Sequence, residues 1–235
     1  MNEHPKIAVY TATRNLYDLL IPAYSSLLCN SSVDKIYLLI EDDEFPYLFP
    51  CPDKFEVINV SGQQFFRQDG PNMNSCFTYM AMMRAALCHV LPEWYDKVLS
   101  LDVDTIVNKN IDAIWDLPVE ECYFAASKET HKSHDHFFYT NVGVCLHNLE
   151  KMRDGKADEI IKYLNEHEIA FLEQDCMNYM CQGSICEMPS CYNVNTWTEN
   201  TGDWRIIHYA GIKNWADKEL VKKYMERFPR IKRHG

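Results

Sequence analysis

The chain has 235 residues, 47% of them hydrophobic, which is enough for one medium-sized domain with a sizeable buried core. Its formal net charge of −11 excludes general binding to nucleic acid, or to an anionic membrane, through the whole surface. The N-terminus lacks the residue order of a signal peptide, and no apolar stretch approaches the roughly 20 residues of a membrane span. We therefore expect a cytoplasmic protein whose ten cysteines are thiols in a reducing compartment.

The first part of the chain alternates apolar runs with a helical pattern. Strands are predicted over 6–12, 34–40 and 55–60, and a helix over about 16–29. This spacing indicates parallel strands joined by right-handed crossovers, with a nucleotide bound over the turn after the first strand. The candidates to line its base and ribose are Thr11, Ala12, Thr13, Asn15 and Tyr17. No glycine-rich fingerprint occurs here, so neither a dinucleotide site nor a P-loop is predicted.

An arginine interrupts the apolar stripe of a second helix, predicted over about 75–91. The stripe consists of Phe77, Met80, Arg84, Leu87 and Leu91. An arginine on such a face is paired with an acid or borders a cleft that holds an anion. The alternative is that its side chain extends along the stripe to solvent. Both interpretations fit the sequence.

A short apolar run over 97–101 ends at two carboxylates, Asp102 and Asp104. A run that is apolar on both faces is typical of a strand buried inside a parallel sheet, and open α/β sheets bind ligands at the carboxyl ends of such strands. Two carboxylates this close repel each other, and a bound divalent cation is a common remedy. The alternative is a strand end followed by a solvated turn.

The later elements add a third potential metal ligand. The predicted elements are a short helix over 110–118, strands over 122–126, 140–146 and 206–208, and helices over 152–165 and from 173 onward. The polar segment 129–136, with three histidines, is interpreted as a mobile loop. The last strand ends in His208, and an imidazole with two carboxylates suits manganese or a similar ion. Lys213 can then reach a phosphate bound to that ion, and Gly143 leaves room for a group to approach the backbone.

Two further features left alternatives open. Cys176, Cys181, Cys186 and Cys191 recur every five residues, a spacing at the edge of the range for structural zinc, and we interpret them as core thiols. Over 213–233, eight lysines and arginines stand against three acidic residues. This basic stretch is either a solvated terminal helix or a contact for an anionic partner.

Four motifs in this order resemble glycosyltransferase family 8, the retaining transferases that include glycogenin and bacterial lipooligosaccharide galactosyl- and glucosyltransferases. The motifs occupy 96–104, 140–149, 173–178 and 208–215. The resemblance covers nearly the whole chain and implies a GT-A fold. That fold is a single α/β domain, here over 1–215, with a mostly parallel central sheet flanked by helices. A basic C-terminal helix or tail over 216–235 follows it.

The resemblance also implies the site. Mn²⁺, with Mg²⁺ as the alternative ion, is held by Asp102, Asp104 and His208. The donor is a nucleotide-diphosphate sugar such as UDP-glucose, UDP-galactose or a related UDP-sugar. Besides the residues of the first turn, its expected contacts are Arg84, Asp102, Val103, Gly211 and Lys213. The candidates around the donor sugar and the reacting carbon are Asn141, Glu173 and Gln174.

The chain departs from the family pattern at three places, one of which is Asn214 before Trp215 where the family frequently has proline. The family commonly has Asp-Gln-Asp where this chain has Glu-Gln-Asp over 173–175, and the first turn lacks the acidic residue that many members use near the base. The implied function is hexose transfer to a glycan or other hydroxyl acceptor. From the basic tail itself, in which Tyr224 and Phe228 are interleaved, we expect a peripheral contact with a membrane that carries a lipid-linked acceptor. A metal-dependent nucleotide-sugar hydrolase or nucleotidyltransferase is one alternative, and a catalytically silent nucleotide-sugar-binding module is another.

Overall fold

A seven-stranded sheet forms the centre of the computed structural model, which describes residues 5–73, 75, 77–130 and 137–233. Within these ranges, the strands are β1 (Ile7–Thr11), β2 (Lys35–Ile40), β3 (Phe55–Asn59), β4 (Lys97–Leu101), β5 (Thr105–Val107), β6 (Phe124–Lys128), β7 (Thr140–Asn148), β8 (Ile185–Glu187) and β9 (Ile206–His208). The order is β3-β2-β1-β4-β7-β6-β8, and β7 alone is antiparallel to its neighbours. The predicted α/β architecture with a mostly parallel sheet is confirmed.

Helices cover both faces of this sheet. They are α1 (Tyr17–Asn30), α2 (Tyr79–Met82), α3 (Leu87–Val90), α4 (Leu149–Lys151), α5 (Ala157–Glu166), α6 (Leu172–Met180) and α7 (Glu219–Arg227). Along β1, Ala8 and Tyr10 pack into the core that contains α1, whereas Ile7 and Val9 pack into the core that contains α2, α3, α5 and α6. Side chains of a strand alternate between faces, so the continuous apolar runs in the sequence follow from burial on both sides.

The helix predicted over 75–91 is shorter and less regular than its pattern indicates. It begins at Tyr79, because Thr78 is extended with φ −80° and ψ 159°. Its middle, Met83–Ala86, is a 3-10 turn that separates α2 from α3. The side chain of Arg84 therefore leaves the helix from its tightest turn.

A second departure lies before α5, where a helix is predicted over 152–165. The segment Met152–Lys156 forms a wide π-type turn, and Gly155 within it has φ +97°. Glycine adopts this left-handed conformation without the steric penalty that a Cβ atom imposes. The regular helix consequently begins at Ala157 rather than at Met152.

Cys122 and Cys186 form a disulfide, with 5.8 Å between their Cα atoms. The prediction that all ten cysteines are thiols is therefore wrong for this pair. The physical reason is the parallel pairing of β6 with β8, which places Phe124 opposite Ile185 and brings the two cysteines together. Within the described ranges, the cysteines do not form a group that could hold a metal ion.

The basic segment predicted as a tail packs against the rest of the chain. Tyr224 on α7 is buried, and its hydroxyl accepts a hydrogen bond from Asn30 on α1. Phe228 packs against the core on the α1 side. Backbone hydrogen bonds from Leu48 to Ile231 (2.9 Å) and between 233 and 46 (3.1 Å) continue the attachment. No helix in the described part of the chain has the length and apolar character needed to cross a membrane.

Candidate active site

Asp102, Asp104 and His208 form the one potential metal-binding group found among the described residues. One ligand atom from each lies within 4.8 Å of the others. The His208 Nε2 atom is 3.3 Å from Asp104 Oδ1 and 3.5 Å from Asp102 Oδ2. The aspartates follow β4, and the antiparallel pairing of β5 with β9 sets His208 opposite Thr105. Two carboxylates and an imidazole therefore converge at the carboxyl end of a central strand.

The protonation of this group reflects burial and charge together. Burial raises the pKa of Asp102, although Arg84 and His208 lower it in part. Burial also acts to raise the pKa of Asp104, but His208, a backbone hydrogen bond and Arg84 together lower it more. For His208, burial acts to lower the pKa, and the two aspartates reverse this and raise it. Because metal ligands must be deprotonated, a divalent cation would compete with protons for this group.

Gly143 on β7 leaves the space in which these ligands meet. A Cβ atom at this position would lie 2.2 Å from His208 Cε1 and 2.7 Å from Asp102 Oδ2. The backbone also supports the aspartate directly, since Asp102 N donates to Gly143 O at 2.8 Å. A small cradle and a mixed oxygen and nitrogen donor set fit a divalent ion such as Mn²⁺ or Mg²⁺.

Arg84 is buried between two acids. Its Nη1 lies 2.7 Å from Asp102 Oδ1, its Nη2 lies 2.5 Å from Glu173 Oε1, and Nη1 also donates to Val142 O at 3.0 Å. The interpretation that its side chain extends to solvent is wrong, and the paired interpretation is confirmed. Burial raises the pKa of Glu173, with Arg84 opposing the rise.

Glu173 reaches Arg84 from the start of α6, where the backbone is strained. Leu172, the first residue of α6, has φ +45° and is the one non-glycine residue with positive φ among those described. It is buried, so packing holds it in a conformation that a branched side chain rarely adopts. The turn directs Glu173 and Gln174 into the same cavity.

Two cavities meet at the aspartates. A cavity of about 570 Å³ is lined by the candidates Arg84, Asp102, Asp104, Asn141, Glu173, Gln174, His208 and Gly211. A second cavity of about 280 Å³ is lined by Thr11, Ala12, Arg84, Asp102, Val103 and Asp104. The aspartates line both cavities, so the potential metal site lies where the smaller cavity, beside β1, meets the larger cavity, beside α6.

Four predicted donor contacts lie outside the linings of both cavities. Tyr17 is buried, and its hydroxyl donates to Asp42 Oδ2 at 2.9 Å and accepts from Glu41 N at 2.9 Å. Thr13 donates to Asn15 Oδ1 at 2.5 Å within the turn after β1. Lys213 is exposed on the segment that follows β9.

The sequence profile of glycosyl transferase family 8 matches residues 47–219, most of the chain. The chain belongs to glycosyl transferase family 8. Among curated relatives, it is 29% identical over 208 residues to the glycosyltransferase GlyD of Streptococcus pneumoniae, which covers 80% of this chain. It is 25% identical over 112 residues to a Haemophilus influenzae relative. This family 8 chain spans 24% and 34% of the length of these two relatives.

Solved structures share the fold of this family 8 chain. The galactosyltransferase LgtC, in complex with donor and acceptor sugar analogs, matches with TM-score 0.66 and 18% identity over 94% of both chains. The glycosyltransferase GlyE of Streptococcus pneumoniae, in its apo form, matches with TM-score 0.71 and 20% identity over 94% of this chain and 59% of that one. Mouse xyloside xylosyltransferase 1 matches with TM-score 0.64 and 16% identity over 88% and 98%. The fold is GT-A.

The structure adds residues to the family 8 site that sequence reasoning missed. Glu129 is buried, although it begins the segment interpreted as a mobile loop, of which 131–136 lie outside the described residues. Asn193 is fully buried and hydrogen-bonds His208. Tyr139 and Trp197 line the larger cavity. The available signal was weak, since Asn193 and Trp197 lie in an irregular stretch without periodicity.

Removing Arg84 tests how strongly the site depends on its buried charge. We expect Arg84→Met to lower the free energy of unfolding by about 3–5 kcal/mol, because it leaves Asp102 and Glu173 facing each other without a counter-charge. Urea unfolding of both proteins measures the difference. The exposed pair of Arg67 and Asp69 provides the control, since Arg67→Met should cost under about 1 kcal/mol. Equal losses in the two variants would contradict the assignment.

A second buried histidine, outside the potential metal-binding group, also gives a pH dependence of stability. Burial lowers the pKa of His147 to about 3 from 6.5, and its Nε2 lies 2.9 Å from Ser100 Oγ. Between these pH values the unfolded chain binds a proton that the folded chain does not, so stability falls as the pH falls. We expect a loss of about 2 kcal/mol between about pH 6.5 and pH 5, by urea unfolding, that His147→Gln removes. A variant at exposed His167 should keep the wild-type slope.

Proposed function

We propose that this protein is a retaining glycosyltransferase that moves a hexose from a UDP-sugar, such as UDP-glucose or UDP-galactose, to a glycan or other hydroxyl acceptor with Mn²⁺ as cofactor. Mg²⁺ is the alternative ion. The observation that carries the proposal is that Asp102 and Asp104 line both cavities, with His208 beside them in the larger one. A nucleotide in the smaller chamber and a sugar in the larger one would have the diphosphate between them, at these three side chains.

The donor diphosphate needs positive charge as it leaves. Asp102, Asp104 and His208 would hold the ion, which when bound stabilises the negative charge that develops on the leaving group. Lys213 would bind the same phosphates from the exposed segment after β9. Gly211 gives that segment the left-handed φ of +71°, and a Cβ atom there would lie 2.9 Å from Trp197 Cη2. The segment can therefore lie close over the larger cavity.

The reacting carbon gains positive charge in the transition state. The carboxylate of Glu173 is neutralised by Arg84, whereas Gln174 accepts from Val142 N at 3.2 Å and donates to Tyr139 Oη at 3.0 Å. The Gln174 carboxamide is thus held rigidly in the cavity, where its dipole can stabilise that charge. For retention, the acceptor hydroxyl attacks on the face of the leaving group and gives its proton to the departing phosphate.

Product analysis tests this proposal. With Mn²⁺ present, a thermal-shift panel of nucleotide sugars identifies the donor, and that donor is then incubated with and without candidate acceptor glycans. We expect new glycosidic product with acceptor and only slow hydrolysis without it. Fast hydrolysis that no acceptor changes would instead assign a hydrolase. Binding of UDP that does not depend on metal, measured by calorimetry, would assign a silent binding module.

We also propose a peripheral contact with an anionic membrane surface that carries a lipid-linked acceptor. Because Tyr224 and Phe228 pack against the protein, this contact would depend on exposed cations, such as Lys222 and Lys223. Binding to anionic vesicles should then weaken with salt and in a double charge-reversal variant of these two lysines. Salt-independent partition would contradict it.

A cytoplasmic location remains a prediction. The disulfide between Cys122 and Cys186 is a feature more typical of oxidising environments. Thiol labelling of protein taken directly from cells decides between the two, because a reducing compartment should leave both cysteines reactive.

A further inference from the structure

A chain of buried amides leads from His208 to the far wall of the larger cavity. His208 Nδ1 is 2.9 Å from Asn193 Oδ1. Asn193 Nδ2 donates to the side chain of Asn141 at 2.9 Å and to its backbone carbonyl at 3.1 Å. Asn141 Nδ2 donates in turn to Glu129 Oε1 at 2.8 Å. Each of these four residues is buried, with at most 8% of its surface exposed.

The orientation of each amide follows from partners that can only donate or only accept a hydrogen bond. The carboxylate of Glu129 accepts, so Asn141 turns its Nδ2 toward it, and the backbone N–H of Gly143 donates to Asn141 Oδ1 at 3.2 Å. The carbonyl of Asn141 can only accept, so Asn193 must present Nδ2 to it. Asn193 Oδ1 is therefore the atom that faces His208, and it also accepts from Asn195 Nδ2 at 3.0 Å.

An oxygen acceptor opposite Nδ1 holds a proton on that nitrogen of His208, so that Nε2 is the nitrogen free to release its proton to a cation. A proton on Nδ1 makes the hydrogen bond, whereas an unprotonated Nδ1 would set two lone pairs against each other in a buried site. With the proton on Nδ1, the lone pair of Nε2 points toward Asp102 and Asp104, 3.5 and 3.3 Å away. This is the form of imidazole that binds a cation.

We propose that Asn193 is a positioning residue that sets the tautomer of His208, with its own orientation fixed through Asn141 and Glu129. The inference rests on the proposed function only in that it takes Asp102, Asp104 and His208 as a cation site. It gives Asn193 a role in metal affinity although the residue lies outside the linings of both cavities.

The direct test is ¹⁵N NMR of histidine-labelled protein without metal, recorded over a pH series because Asp102 and Asp104 raise the pKa of His208 above its usual value. The signals of His208 are identified by their loss in His208→Asn. We expect the shift of a protonated Nδ1 in the wild-type chain throughout the series. An unprotonated Nδ1 in the wild-type chain overturns the proposal, and the measurement needs no sugar transfer. Failure to transfer sugar would thus leave this result intact.

Two variants separate tautomer control from packing. Asn193→Leu removes the acceptor, and we expect mixed tautomers and Mn²⁺ binding, followed by the EPR signal of the free ion, that is about 10–100-fold weaker. Asn193→Asp loses the bonds to Asn141 but still accepts from His208, so it should keep Nδ1 protonated. Unchanged Mn²⁺ affinity and an unchanged tautomer in Asn193→Leu would overturn the proposal.

Asn178 provides the matched control for lost stability. It is also fully buried, and it hydrogen-bonds the backbone of Thr140 through both ends of its amide. Asn178→Leu should destabilise the fold as Asn193→Leu does, yet leave the tautomer of His208 as in the wild-type chain. A tautomer change in Asn178→Leu would assign the effect to general loosening of the fold and overturn the specific role of Asn193.

Discussion

Asp104→Asn is expected to lower sugar transfer by about three orders of magnitude or more, the largest effect of any conservative substitution in this chain. The side chain keeps its size, but one of the two negative charges that would hold the cation is lost. The remaining amide oxygen is a weaker ligand, and its NH₂ group can face His208 instead. Initial rates with the identified UDP-sugar, at low and at high Mn²⁺, measure the loss.

The comparison for this variant is Asp217→Asn, which changes an exposed aspartate that pairs with Lys222. It changes the net charge equally and should leave the rate within a factor of about two, since exposed pairs contribute little. Wild-type turnover by Asp104→Asn with added Mn²⁺ would contradict the metal assignment. Transfer that is lost while Mn²⁺ affinity is unchanged would move the role of Asp104 from metal binding to donor binding.

Gly143→Ala should have the second largest effect, although it adds a single methyl group. The added Cβ would lie 2.2 Å from His208 Cε1, inside any tolerable contact, so the imidazole or β7 must shift. We expect Mn²⁺ affinity and transfer to fall at least about 100-fold and stability to fall by about 1–3 kcal/mol. Manganese EPR, transfer rates and urea unfolding measure the three quantities separately.

Gly62→Ala is the matched substitution, because a Cβ atom at Gly62 meets nothing within 4 Å. It should be silent in all three measurements. If Gly143→Ala were equally silent, His208 would have to lie elsewhere in solution, and the convergence of the three ligands would be refuted. A loss of stability with normal Mn²⁺ affinity would mean that β7, rather than the imidazole of His208, shifts to admit the methyl group.

The strands that build the sheet could be predicted because their signal is local. In Lys97–Leu101, for example, Val98, Leu99 and Leu101 put apolar side chains on both faces of the strand, as burial inside a sheet requires. Helix ends were less predictable, since the start of α2 depends on the extended conformation of Thr78 and not on the apolar stripe. The disulfide could not be predicted either, because it follows from which strands become neighbours.

The sequence by itself determined the architecture, the family resemblance and the three metal-ligand candidates, Asp102, Asp104 and His208, because residue type and strand ends carry that information. Only the tertiary structure decided how they act together. The pairing of β5 with β9 brings His208 to the aspartates across about a hundred residues of chain. The sequence left open whether Arg84 extends to solvent or pairs with an acid. The structure shows it buried, as the counter-charge of Asp102 and Glu173. The roles of Glu129 and Asn193 follow from the hydrogen-bond chain that joins them to His208. The sequence could not show this chain, since the direction of each bond depends on partners remote in sequence.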